Sequence, residues 1–60
     1  MKKDVKKRLS LMLFEIGMDD SNLFWETGFH KQDVKTKEDL NEVIRLLSYW
    51  YFGLEKYYID

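Results

Sequence analysis

Residues 40–58 read LNEVIRLLSYWYFGLEKYY, and their phase decides the fold. Leu40, Ile44, Leu47, Tyr51, Leu54 and Tyr58 recur at alternating steps of four and three. That heptad spacing lays one apolar stripe along a helix. Thr36 precedes the stripe with Asp39 three residues on, a near capping box in which Asp replaces the usual Glu. Glu38 and Asp39 also suit the positive end of a helix dipole. The reading is one long helix over about 36–58, bent or ended at Gly53.

The same phase sorts the aromatics. Tyr51 and Tyr58 fall within the stripe, Val43, Trp50 and Tyr57 along its flank, and Leu46 widens that flank. These are core by pattern. Tyr49 and Phe52 fall on the face that also carries Glu42, Arg45, Ser48 and Lys56. Arg45 is placed to stack over Tyr49 at i, i+4, and Lys56 to cover Phe52. Half of the aromatic run is thus core, and half is a candidate contact patch.

Upstream, Val5, Leu9, Met12 and Ile16 mark a second helix face over about 3–16, widened by Leu13. Leu11 and Phe14 fall on its opposite side, beside the lysines. Gly17 stands where a left-handed C-terminal cap belongs. In the connection, Asp20 or Ser21 can cap a short helix near 21–27 that Gly28 ends. Leu23, Phe24, Trp25 and Phe29 are too apolar for a free loop, so this segment is expected to pack. A strand here would have no partner. The expected fold is all-α and a single domain, 1–60: two main antiparallel helices joined by a packed loop with a short helix. Two helices make a thin core, so dimerisation into a four-helix arrangement is expected to complete it.

Sixty residues bury only about 60% of the surface that the unfolded chain exposes. The chain has no cysteine, one histidine and ten aromatic residues among its 60. Neither a disulfide nor a thiolate metal site can staple it. A dense aromatic core, a second chain or a bound partner must supply the stability. The net charge of −1 is polarised: residues 1–8 hold five basic groups against one acid, and the remainder is acidic. Such polarity orients a charged partner. The N-terminus loosely resembles a signal peptide, but Glu15 interrupts its short apolar run and no small-residue cleavage site follows. No run of about 18 apolar residues is available to span a membrane. A cytoplasmic protein without a membrane partner is expected.

Chemistry-bearing patterns are sparse. His30 and Asp33 stand three apart near Glu26, a pairing capable of acid–base work. No nucleophile, glycine loop or second histidine accompanies them, so a solvated loop histidine is expected. The basic N-terminal run could contact phosphates, yet Val5 and Leu9 are needed in the core and the rest of the chain is acidic. A nucleic-acid partner is therefore disfavoured, and no small-molecule substrate, cofactor or metal is indicated.

Taken together, VKKRLSLMLFEIGM at 5–18, Phe29 before Asp33 and Val34, LNEVIRLL at 40–47 and the Phe52-Gly53 pair resemble the first two helices of an acyl carrier protein. The family's Asp-Ser-Leu falls on Lys37, Glu38 and Asp39, so the serine that carries phosphopantetheine is missing. The resemblance then implies a degenerate carrier without its prosthetic group. The chain stops short of the family's last helices.

The leading expectation is a non-enzymatic protein-binding module: an adaptor, inhibitor or accessory subunit, with a protein partner or a homodimer. Its interface is expected at Tyr49, Phe52, Arg45, Lys56, Leu11, Phe14 and Trp25. The alternatives are the degenerate carrier and a small DNA-associated regulator acting through the basic helix.

Overall fold

The computed structural model describes residues 2–60, so Met1 of the basic run lies outside it. Three helices, α1 (Lys2–Ile16), α2 (Asp20–Thr27) and α3 (Lys37–Leu47), carry the fold, with 3₁₀ turns at Lys31–Asp33 and Glu55–Tyr57. The architecture is all-α, as the periodicity implied.

Helix α1 turns Val5, Leu9, Met12 and Leu13 into the core. Gly17, at φ +66°, ends it. Its amide donates to the Phe14 carbonyl, and the Met18 amide donates to the Leu13 carbonyl at 2.9 Å. These two bonds form a Schellman cap, and Met18 and Leu13 are both buried beneath it. A short helix follows at once, capped one residue earlier than expected. The Asp19 carboxylate accepts from the Asn22 amide at 2.8 Å. Gly28, at φ +80°, closes it as expected.

Helix α3 begins where its capping chemistry is written. Thr36 Oγ1 accepts from the Asp39 amide at 3.1 Å, and Asp39 Oδ2 accepts from the amides of Lys35 and Thr36. Those donors hold the Asp39 carboxyl below its ordinary pKa, the Lys35 amide most strongly. Leu40, Val43, Ile44 and Leu47 are wholly buried.

The long helix over 36–58 is not formed: α3 stops at Leu47. At 1.5 Å per residue such a helix would run about 34 Å, whereas the longest dimension of the molecule is 25 Å. The break is built locally. Ser48 Oγ donates to the Ile44 carbonyl at 2.7 Å, a back-bond that competes with helix propagation. The Tyr49 and Trp50 amides then reach only three residues back, to Leu46 and Leu47. Four consecutive aromatics with middling helix propensity follow, and Gly53 turns the chain at φ +80°.

Beyond the turn the chain returns as a strap over α1 and α3. Leu54 is fully buried, and Tyr51, Tyr57 and Ile59 pack against the core from its edge. Arg8, held by Asp4 at 3.0 Å, donates to the carbonyls of Tyr57 and Tyr58. Asn41 bonds both backbone groups of Ile59, and Lys37 reaches the Asp60 carbonyl. Leu54 is core as the heptad implied, but it arrives by a reversal rather than along a helix. The tail and α2 thereby close the core within one chain, where a two-helix frame had suggested that a second chain was needed.

Candidate protein interface

Among the described residues twelve apolar side chains are buried, yet several of the largest rings are not. Tyr49, Trp50 and Phe52 are 77%, 72% and 95% exposed. All three sit in the reversal that ends α3, because a turn has no inner face on which to hide successive side chains. Trp50 corrects the expectation that it flanks the core: helical phase ends at Leu47, so it no longer predicts direction there. Tyr58, also expected in the core stripe, is 37% exposed.

The other expected interface residues lie on separate elements. Leu11 and Phe14 occupy the face of α1 opposite its buried stripe, and Phe14 is 87% exposed. Trp25 projects from α2 at 85% exposure. Its neighbour Phe24 stacks on the His30 ring, centroids 4.2 Å apart and planes within 7°.

The two expected cation–ring pairings are replaced by ion pairs. Arg45 grips Glu42 with two nitrogens, at 2.6 and 3.3 Å, and the carboxylate raises the guanidinium pKa. Lys56 no longer lies one helical turn after Phe52, because the helix has ended. It bonds Glu15 at 3.0 Å and stands over the Tyr57 ring at 5.5 Å. Arg45 and Lys56 accordingly have their charged heads committed to carboxylates.

Glu15 is the hub that ties the strap to α1. It accepts from the Tyr57 hydroxyl at 2.7 Å as well as from Lys56. The Tyr57 bond is the main reason its pKa lies below the ordinary carboxylate value, and Lys56 adds to it. The tyrosine and lysine are pushed the other way, upward, by the same carboxylate.

His30 is a partnered residue rather than a solvated loop histidine. Its Nδ1 lies 2.9 Å from Asp20 Oδ2, while Asp20 Oδ1 accepts from the Lys31 amide at 2.7 Å. Asp33, the carboxylate nearest in sequence, instead accepts from the His30 backbone amide. The Lys31 amide is the first cause of the lowered Asp20 pKa, and His30 is the second. The cluster pins the chain after Gly28 back against α2, a structural task that accounts for each bond in it.

Glu38, at the place that the carrier resemblance gives to the modified serine, is an exposed residue in the first turn of α3. Among the described residues there is no surface pocket, no cluster of metal-ligating side chains and no helix long and apolar enough to cross a membrane. No protein-family model matches the chain, and neither a curated protein nor a solved structure matches it.

Proposed function

We propose that this chain is a non-enzymatic protein-binding module, working as an adaptor, inhibitor or accessory subunit through the aromatic corner of Tyr49, Trp50 and Phe52. The observation that carries the reading is the placement of three large exposed rings within four positions of one turn, above a core that is already closed. Single exposed apolar residues are ordinary on any surface. Three within four positions form an anchor of the kind that dominates binding energy, since aromatic side chains lead among interface hot spots. Arg45 and Lys56, each paired to a carboxylate, supply a charged rim.

The simplest partner is a second copy, with α1 and α3 of two chains forming a four-helix arrangement. The test is the double substitution Tyr49→Ser with Phe52→Ser. Helical circular dichroism should be retained while self-association or partner capture weakens. Unfolding of the double variant, with normal association of what remains folded, would make these rings structural and sink the reading.

A further inference from the structure

The tail beyond Gly53 is gripped from outside itself. Leu54 fills a fully buried socket. Glu15 takes the Tyr57 hydroxyl, Arg8 takes the carbonyls of Tyr57 and Tyr58, and Asn41 takes both polar groups of Ile59. None of these contacts depends on which chain the tail comes from. The same segment of a second copy would satisfy every one of them. What selects between the two sources is the connector, residues 48–53.

That connector is costly in the closed form and has an alternative. It leaves Tyr49, Trp50 and Phe52 in water. Its sequence nonetheless continues the α3 stripe without a phase error, from Leu40, Ile44 and Leu47 to Tyr51, Leu54 and Tyr58. Within the connector itself, Tyr51 is the stripe residue that a straightened helix would keep on the apolar face. Straightened as helix, six residues span about 9 Å and lift Leu54 away from its own socket. Short connectors of this kind favour exchange of an element between identical chains.

We propose that two copies exchange residues 54–60, each tail seated on the α1–α3 face of the other, with residues 48–53 straightened into helix. Tyr49, Trp50 and Phe52 of the two copies meet where the connectors pass one another. This rests on the aromatic-corner reading and deepens it: the partner is a second copy, and the state of the connector regulates whether the tail's docking face is filled from within or from without.

The test uses the absence of native cysteine. One chain carries Asn41→Cys and another carries Ile59→Cys; the two are unfolded together, refolded at high concentration and oxidised. Exchange yields a covalent 41–59 pair between chains, identified by peptide mass, in a product of twice the 7.4 kDa chain. Both substitutions in one chain give the control that a 41–59 bond can close. If the control closes but no interchain 41–59 bond forms, exchange is overturned. A dimer that still sediments in that case is a side-by-side dimer, and the aromatic-corner reading survives alone.

Gly53→Ala gives a second measurement that leaves every tail contact in place. Alanine at left-handed φ disfavours the closed turn by roughly tenfold and is welcome in the helical connector. Because each exchanged dimer relieves two such turns, exchange predicts a dissociation constant lowered about 100-fold relative to the unaltered chain by sedimentation. An unchanged or weakened dimer, or a purely monomeric variant, overturns it.

Discussion

The side-chain amide of Asn41 is hydrogen-bonded to both backbone groups of Ile59, donating to its carbonyl at 2.7 Å and accepting from its amide at 3.0 Å. A single side chain on α3 thus pairs with the tail as a neighbouring strand would. This contact and the Arg8 bonds explain how a tail with only a single 3₁₀ turn at Glu55–Tyr57 stays seated on the other elements. Its backbone groups are satisfied by side chains.

Asn41→Ala should therefore release the end of the strap. Two partly buried hydrogen bonds are lost, so the cost is about 1–3 kcal/mol. Amide exchange should accelerate first at Ile59, while the amides of α1 and α3 keep their order of protection. Equal protection at Ile59 in the variant would show that the other contacts hold the tail without Asn41.

Leu47 is the last buried residue before the chain reverses, with no exposed surface. Leu47→Ala should destabilise by roughly 2–5 kcal/mol, enough to unfold much of a domain this small. Thermal melting is the direct measure. A midpoint within a degree or two of the unaltered chain would take Leu47 out of the core.

Thr36→Ala should cost about 1 kcal/mol, because it strips the acceptor from the Asp39 amide. The reciprocal half of the box responds to pH. Asp39 has a folded-state pKa below its ordinary 3.8, so its contribution is full above that value and is lost as pH falls through the folded pKa. Asp39→Asn should flatten that part of the acid-unfolding curve. An acid limb of unchanged slope would assign the loss to other carboxylates.

How much of this was legible beforehand depends on which physical signal was local. The start of α3 could be read because Thr36 and Asp39 are three residues apart and act on each other. Gly17 and Gly28 could be read as stops because left-handed caps select glycine. The end of α3 could not. Periodicity reports which face is apolar, and the stripe at Tyr51, Leu54 and Tyr58 is the same whether it lies on a helix or not. What ended the helix was Ser48 turning back on Ile44, followed by the better burial available to Leu54 across the molecule. The strap's grips were invisible for a related reason: Arg8 and Tyr58 lie 50 residues apart, and no short pattern links them. Among the candidate interface residues, Tyr49 and Phe52 were read as exposed by phase, while Trp50 was misread because phase had already ended.

The anchor between α1 and the tail should also respond to acid. Glu15 has a folded-state pKa lowered from its ordinary 4.5, chiefly by the Tyr57 hydroxyl. Its contribution is therefore present above 4.5 and is lost as pH falls through the lowered value. Tyr57→Phe should remove that portion of the acid sensitivity and loosen the 3₁₀ turn at Glu55–Tyr57 at neutral pH. Amide exchange at Tyr57 and Tyr58, followed from neutral to acidic pH, checks it. Protection that falls equally in both proteins would show that the Glu15 bond does not hold the turn.

The two tryptophans offer a way to locate association without disturbing it. Trp25 and Trp50 are both largely exposed, so both indoles emit from water when the chain is alone. They sit on different elements, α2 and the turn after α3. Trp25→Phe removes one reporter while keeping an apolar ring at that site. In this variant, emission should shift to shorter wavelength as concentration rises, because association at the aromatic corner takes Trp50 out of water. The reciprocal variant, Trp50→Phe, should leave Trp25 emission independent of concentration. Adding Tyr49→Ser and Phe52→Ser to the Trp25→Phe chain should abolish the shift, since the neighbouring rings supply the apolar surface that covers the indole. The reverse pattern has a definite meaning. If sedimentation detects dimers while Trp50 stays in water and Trp25 shifts, the contact is made by α2, and the rings after α3 are bystanders.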